Sequence, residues 1–186
     1  LAANEQRQPI AGLEIGRGGI GVRGVVPVTY QGQHIGTVEY GLEPGLAALE
    51  ELKREYGVDW QITLSRGPAE IATFRALTDT AQVPLDALLL QSSTLAQPVF
   101  SNADAYRLVL AGQSQTYRTV VDGRDLAIYS TPLRDYANQV IGVVDIIRDR
   151  TQTVQLLTAR MLAAIASLIV VMGVGILVSA TVITRL

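Results

Sequence analysis

The longest apolar run in the chain lies at its C-terminal end and predicts a membrane span. Residues 161–184 contain no charged side chain, and Arg160 and Arg185 flank them. A helix of that length reaches about 36 Å, enough to cross a hydrocarbon core of about 30 Å with some tilt. The alternative, a buried core helix, rarely runs so far with so few polar residues. We therefore expect a transmembrane helix at 161–184, preceded by a domain on one side of the membrane.

Alternation of apolar and polar residues predicts strands at both ends of that domain. Polar residues 1–8 are expected to finish a helix, and the glycine-rich stretch 9–24 to form a turn that feeds a strand. Turn residues at Gln31-Gly32 and Asp122-Gly123 predict antiparallel hairpins. The last three strands form a meander. The predicted strands are 22–30, 34–42, 58–64, 116–121, 126–132 and 140–147.

Helix signals stand between these strands. Residues 44–57 form an amphipathic pattern with Pro44 in the first turn and Gly57 just past the end. Residues 84–90 suggest a short helix, 94–110 a strand-like segment, and 66–74 remain ambiguous. Thr151 is a candidate N-cap for a helix that continues into the membrane without Gly or Pro before Gly173. Trp60 is expected in the core.

Composition excludes several classes of function. The net charge is −2, from 15 basic and 17 acidic residues, which argues against a nucleic-acid partner. Cysteine is absent and His34 is the only histidine, so thiol chemistry and a histidine-rich metal site are excluded within this sequence. The glycine-rich stretch lacks the spacing of a phosphate loop. We expect no catalytic residues, no metal, no cofactor and no enzymatic activity in this segment.

One internal repeat organises the chain. The residues Ile35-Gly-Thr-Val-Glu39 recur 106 positions later as Ile141-Gly-Val-Val-Asp145. Each copy follows a strand that contains a proline, Pro27 or Pro132, and each precedes a predicted helix. The alternative is two hairpins that are similar by chance. Because proline, glycine, acid and helix occur in the same order, we interpret the match as a duplication of one sheet module.

This arrangement resembles the double Cache sensor regions of bacterial chemoreceptors and sensor kinases. The likeness rests on the stretches 19–28, 34–42, 129–135 and 140–145, followed by the span. It implies an α+β fold of PAS-like Cache modules, with antiparallel sheets and flanking helices, followed by one transmembrane helix. The closing Thr184-Arg185-Leu186 resembles the start of a HAMP linker.

The resemblance also implies a division of the chain. We expect the sequence to be a fragment, with the first span and most of the membrane-distal module upstream. The predicted parts are the end of the distal module (1–43), a connecting helix (44–57), the proximal module (58–150), a juxtamembrane helix (151–160), the span (161–184) and a cytoplasmic linker (185–186).

Five residues are candidates for ligand contact. Glu39 and Asp145 match the acidic position that, in amino-acid-sensing relatives, holds a ligand's ammonium group, and Tyr129 lies in the strand that supplies neighbouring contacts. Arg17 and Arg23 could bind a carboxylate bidentately. Each also has an ordinary alternative, since an acid ending an edge strand is often solvated and an Arg in a glycine-rich turn often binds backbone carbonyls.

Two functions remain open at this point. The first is a sensor for a small polar ligand (an amino acid, amine or organic acid), a homodimer in the bacterial inner membrane with a cytoplasmic signalling module in the same chain. The second is a membrane-anchored assembly or adhesion domain without signalling output. A stripe of small residues along the span allows close helix approach in lipid and predicts that the span packs against a partner helix, either its dimer mate or the first span upstream. The stripe comprises Ala159, Ala163, Ser167, Gly175 and Ser179.

Overall fold

The structure is a computed structural model that describes residues 2–16, 19–43, 45–69 and 83–183. It is an α+β fold in which three strands form one antiparallel sheet and five form another, in the order β5-β4-β8-β7-β6. The helices are α1 Ala2–Gln6, α2 Leu46–Tyr56, α3 Arg66–Ala69, α4 Ala103–Leu110 and α5 Thr151–Ile183. The strands are β1 Ile10–Gly16, β2 Gly19–Tyr30, β3 Gln33–Leu42, β4 Asp59–Ser65, β5 Leu88–Ser93, β6 Gln115–Val121, β7 Arg124–Arg134 and β8 Val140–Asp149.

The chain divides into two compact units. The larger comprises residues 1–119 and 127–148, and the smaller comprises 120–126 and 149–186. The larger unit therefore holds the three-stranded sheet and most of the five-stranded sheet. The smaller unit holds the β6–β7 turn and α5.

Both faces of the five-stranded sheet are covered within the larger unit. On one face, Ile62 and Leu64 of β4 pack with Leu49 of α2 and Ile20 of β2. On the other face, a second cluster of buried apolar residues includes Leu88, Tyr106, Val109 and Val143. Tyr106 and Val109 belong to α4, so this helix closes the second face. The alternation of β4 explains the division, because successive side chains point to opposite faces.

Helix α5 has the length and hydropathy of a membrane span. The stretch Thr151–Ile176 has a mean hydropathy of 2.1, and its most apolar part is not buried by the rest of the chain. The helix is continuous from Thr151 to Ile183. Thr184 and Arg185, the last residues of the predicted span and its flank, lie outside the described residues.

Two predictions between residues 84 and 110 are wrong. Residues 84–90 do not form a helix; a turn leads into β5. Leu88 and Leu89 face the two different cores, which is the period of a strand. Residues 103–110, predicted as strand-like, form α4 instead. Asn102 caps that helix by accepting a hydrogen bond from the Ala105 N–H at 2.8 Å.

Two further predictions need correction. The glycine-rich stretch 9–24 is not one turn, since it contains β1 and the start of β2. Gly12 is required because a Cβ there would lie 2.6 Å from Tyr136 Cβ. Helix α5 begins at Thr151, as predicted, but Thr151 does not act as its N-cap. The Thr151 hydroxyl donates to Asp149 and accepts a hydrogen bond from the Asp125 N–H. Of the ambiguous stretch 66–74, only α3 is described.

Candidate functional site

Three charged residues meet on one face of the three-stranded sheet. Arg23 of β2 is directly opposite Gly12 of β1 and Gly41 of β3. Glu14 lies two positions after Gly12 and Glu39 two positions before Gly41, which makes both of them diagonal neighbours of Arg23. Diagonal neighbours on a sheet face are within reach of long side chains. Strand register therefore places one guanidinium between two carboxylates.

The ion pairs within this group, which we call the Arg23 group (Glu14, Arg23, Glu39), are unequal. Arg23 Nη1 lies 2.6 Å from Glu39 Oε1, and Arg23 Nε lies 3.6 Å from Glu14 Oε2. The Arg23 side chain is 29% exposed and both carboxylates are 44% exposed. These three residues together carry one excess negative charge. The group is therefore accessible to solvent.

Two cavities reach Arg23. One, of about 60 Å³, is lined also by Glu14 and Tyr136. The other, of about 330 Å³, is lined also by Glu39 and by glycines. These glycines are Gly19, Gly21 and Gly41. Without side chains of their own, they leave room for a small molecule beside the charged group.

The structure places the other predicted site residues elsewhere. Tyr129 lies in β7, where Ile128 and Ser130 are fully buried and Tyr129 is 43% exposed. Because side chains alternate along a strand, Tyr129 points away from the face that holds Ser130 and Asp145. Arg17 lies outside the described residues. The five candidates thus do not form one site: Arg23 and Glu39 meet, whereas Asp145 and Tyr129 are apart from them.

Asp145 is sealed inside the larger unit. Its side chain is fully buried and accepts three hydrogen bonds, all from neutral groups. Ser130 donates to Oδ1 at 2.5 Å, and Tyr106 and Gln61 donate to Oδ2 at 2.8 and 3.3 Å. Gln61 also donates to the Val99 carbonyl at 3.1 Å. The carboxyl therefore joins β4, β7 and α4 through one network.

Burial governs the titration of this network. Burial raises the pKa of Asp145 above its ordinary value, and the hydrogen bonds from Ser130, Tyr106 and Gln61 oppose that rise. Burial and the nearby Asp145 charge raise the pKa of Tyr106 as well, so its hydroxyl stays protonated and donates. A carboxyl with three internal donors has little capacity left for a ligand.

Sequence reasoning missed the partners of both acids. The strand-like pattern of residues 94–110 does not predict the helix that places Tyr106 opposite β8; the capping residue Asn102 is the signal for that helix. Gln61 stands directly opposite Asp145 in the β4–β8 register, which only the sheet order reveals. Glu14 lies at the site because residues 10–16 form β1, which pairs with β2. The glycine-rich sequence there predicts a turn instead of a strand.

The chemistry available at the Arg23 group is ionic binding. It offers a guanidinium and two carboxylates on one face of a sheet. Within the described residues there is no group of three or more His, Asp or Glu side chains that could hold a metal ion.

Comparison with known proteins agrees with the fold. The model of the family dCache_3, described as the double sensory domain of two-component sensor kinases, matches residues 1–153. No curated protein matches the chain. The match covers most of the 186 residues, including both sheets and the start of α5. The chain therefore belongs to the dCache_3 family of double Cache sensory domains.

Proposed function

We propose that the chain senses a small polar ligand at the Arg23 group and passes the signal through α5. One observation carries the proposal: of the two acids that end the repeated strand motif, Glu39 is accessible and paired with Arg23, whereas Asp145 is buried and satisfied. Ligand binding at Asp145 would need the Tyr106 and Ser130 hydrogen bonds to break. Binding at Glu39 needs only an exchange of exposed ion pairs.

The geometry favours a ligand that carries an amine. A free carboxylate would have to compete with Glu39 for Arg23, at 2.6 Å already a close ion pair. An ammonium group adds a cation to a group with excess negative charge, and a zwitterionic amino acid satisfies both signs. Amino acids and amines therefore rank ahead of organic acids as candidate ligands.

A thermal-shift screen of the intact chain with amino acids, amines and organic acids tests this proposal. We expect the dissociation constant of an amino acid to rise about tenfold or more in Glu39→Gln and in Arg23→Gln, since each removes one charged contact worth roughly 1.5–3 kcal/mol. For an amine without a carboxylate we expect this rise in Glu39→Gln alone. Glu51→Gln, which changes an exposed acid of α2, is the matched control. A hit that binds both variants as tightly as the wild type contradicts the site assignment.

The membrane arrangement is part of the same proposal. Cache domains of sensor kinases are extracytoplasmic, so we place the sheets in the periplasm, α5 in the inner membrane and a signalling module after residue 186. This segment itself would have no catalytic role. A topology reporter fused after Leu186 should be active in the cytoplasm; a reporter active only in the periplasm contradicts this orientation.

We further propose that α5 packs against a partner helix in a homodimer. The small side chains at Ala159, Ala163 and Ser167 recur every four residues, and small residues permit close approach in lipid. Single cysteines introduced along 159–175 of this cysteine-free chain should crosslink with a helical period. A uniform crosslinking profile contradicts packing along this face.

A further inference from the structure

The start of the membrane helix is held by a hairpin turn that comes about thirty residues earlier in the chain. The smaller unit contains the β6–β7 turn, the end of β8 and α5. Five residues make the contacts between turn and helix start, and we call them the junction cluster. They are Arg124, Asp125, Asp149, Arg150 and Thr151.

Asp149 organises the helix side of this cluster. Its Oδ1 accepts hydrogen bonds from the Thr151 N–H at 2.9 Å and from the Thr151 hydroxyl at 2.6 Å. Its Oδ2 accepts from Arg124 Nε at 2.9 Å. The hydrogen bonds from Thr151 and from Arg124 hold the pKa of Asp149 at about 2, so the group is a carboxylate at neutral pH.

Backbone hydrogen bonds run across the same cluster. The Asp125 N–H donates to the Thr151 hydroxyl oxygen at 3.0 Å, and the Arg150 N–H donates to the Asp125 carbonyl at 2.8 Å. Arg150 Nη1 lies 3.6 Å from Asp125 Oδ1. The first turn of α5 then closes with the Val154 N–H donating to the Arg150 carbonyl at 2.9 Å. The turn therefore fixes the residues at which β8 ends and α5 begins.

We propose that the junction cluster is a second transmission link, through which the β6–β7 hairpin controls the position of α5 together with the covalent β8 connection. β6, β7 and β8 all continue along the chain into the smaller unit, so a displacement of any of them reaches the cluster. This inference rests on the signalling part of the proposed function and does not depend on the ligand site. Arg124, Asp149 and Thr151 act as positioning residues for the helix.

Thr151 offers the sharpest test because one hydroxyl both donates to Asp149 and accepts from Asp125. Thr151→Val removes both bonds at almost constant volume, and Thr151→Ser restores them. Thr158→Val is the matched control, because it removes a hydroxyl from the same helix that bonds only to Val154. Arg124→Gln removes the ion pair without changing the helix. All variants are made in the full-length sensor in membrane vesicles, without ligand.

Two measurements are made on each variant: hydrogen exchange of the amides of residues 125 and 150–154, and ligand-free autophosphorylation. We expect Thr151→Val to speed exchange by about tenfold, the effect of losing one to two hydrogen bonds. We expect its basal autophosphorylation to change by about threefold or more, and that of Arg124→Gln to change in the same direction by less. Thr151→Ser and Thr158→Val should match the wild type in both measurements.

Faster exchange with unchanged phosphorylation in Thr151→Val would show that the cluster only anchors the helix, and the proposal fails. Unchanged exchange in that variant would show that the cluster does not hold the helix start, and the proposal fails as well. A negative ligand screen at the Arg23 group leaves both measurements unaffected, so failure of the ligand site and failure of this link are distinguishable.

Discussion

Two strands of this chain carry nearly the same five residues in opposite environments. In β3 the motif ends at Glu39, which is 44% exposed and paired with Arg23. In β8 it ends at Asp145, which is fully buried. The sheet order explains the difference: β8 lies between β4 and β7, whereas β3 pairs only with β2 among the described strands. An acid at a sheet edge keeps water and a charged partner, and an acid in the centre needs donors from the protein.

The glycines of the two copies differ in the same way. A Cβ on Gly142 would lie 2.2 Å from the Thr63 carbonyl oxygen of the neighbouring β4. A Cβ on Gly36 would meet nothing within 4 Å, although its φ of +151° still favours glycine. The motif therefore specifies a strand, and the neighbouring strands determine whether its acid stays accessible to solvent or is buried in the fold. Whether the two copies arose by duplication stays a hypothesis.

The largest effect that separates the copies is expected from glycine substitution. Gly142→Ala forces a methyl group into the β4 backbone and should lower the free energy of unfolding by about 3 kcal/mol, the upper range for overpacking. Gly41→Ala in β3 is the matched control, since it meets nothing within 4 Å. Urea unfolding followed by the fluorescence of Trp60, the single tryptophan, measures both. Equal midpoints for the two variants would contradict the account of β8.

The next largest difference in stability is expected when the acid of each copy is replaced by alanine. Asp145→Ala leaves the buried donors of Ser130, Tyr106 and Gln61 without their acceptor and should cost about 2 kcal/mol of stability. Glu39→Ala removes only an exposed carboxylate and should cost less than about 0.5 kcal/mol. The same urea titration compares them. A loss in Glu39→Ala as large as that in Asp145→Ala would show that the two environments are not different.

The pH dependence of stability is expected to report the burial of Asp145. Burial raises the pKa of Asp145 in the folded chain above its value of 3.8 in the unfolded chain. At a pH between the unfolded-state pKa and the folded-state pKa, the folded chain therefore binds more protons than the unfolded chain. Stability is therefore full below the unfolded value and falls as the pH rises through the folded value. Asp145→Asn should remove this fall, whereas Asp122→Asn, in the exposed β6–β7 turn, should retain it. A wild-type midpoint that rises with pH over this window, and a variant that follows it, would contradict a raised pKa.

The sequence predicted those parts of the fold that depend on local pattern. The hairpin strands follow from alternation, α2 from amphipathicity and the apolar helix from its length. The motif repeated at residues 35–39 and 141–145 indicated the double Cache family. The boundaries of the Cache modules and the ligand residues stay predictions. The role of Asp145 could not be foreseen because its donors come from Gln61 and Tyr106, 84 and 39 residues away in sequence. Sheet order and helix docking bring them together, and neither is a local property.

The smallest effect concerns the ion pair that marks the accessible copy. Arg23 and Glu39 are partly exposed, and such pairs contribute about 0.2–1 kcal/mol. A double-mutant cycle of Arg23→Gln and Glu39→Gln should therefore give a coupling energy of about 0.5 kcal/mol, which decreases in high salt because exposed charges are screened. Urea unfolding at low and high salt measures this coupling. A coupling above about 2 kcal/mol would place the pair in a desolvated structural role like that of Asp145. If the coupling is weak, little folding free energy is lost when Arg23 and Glu39 separate, and each side chain can then pair with a ligand instead.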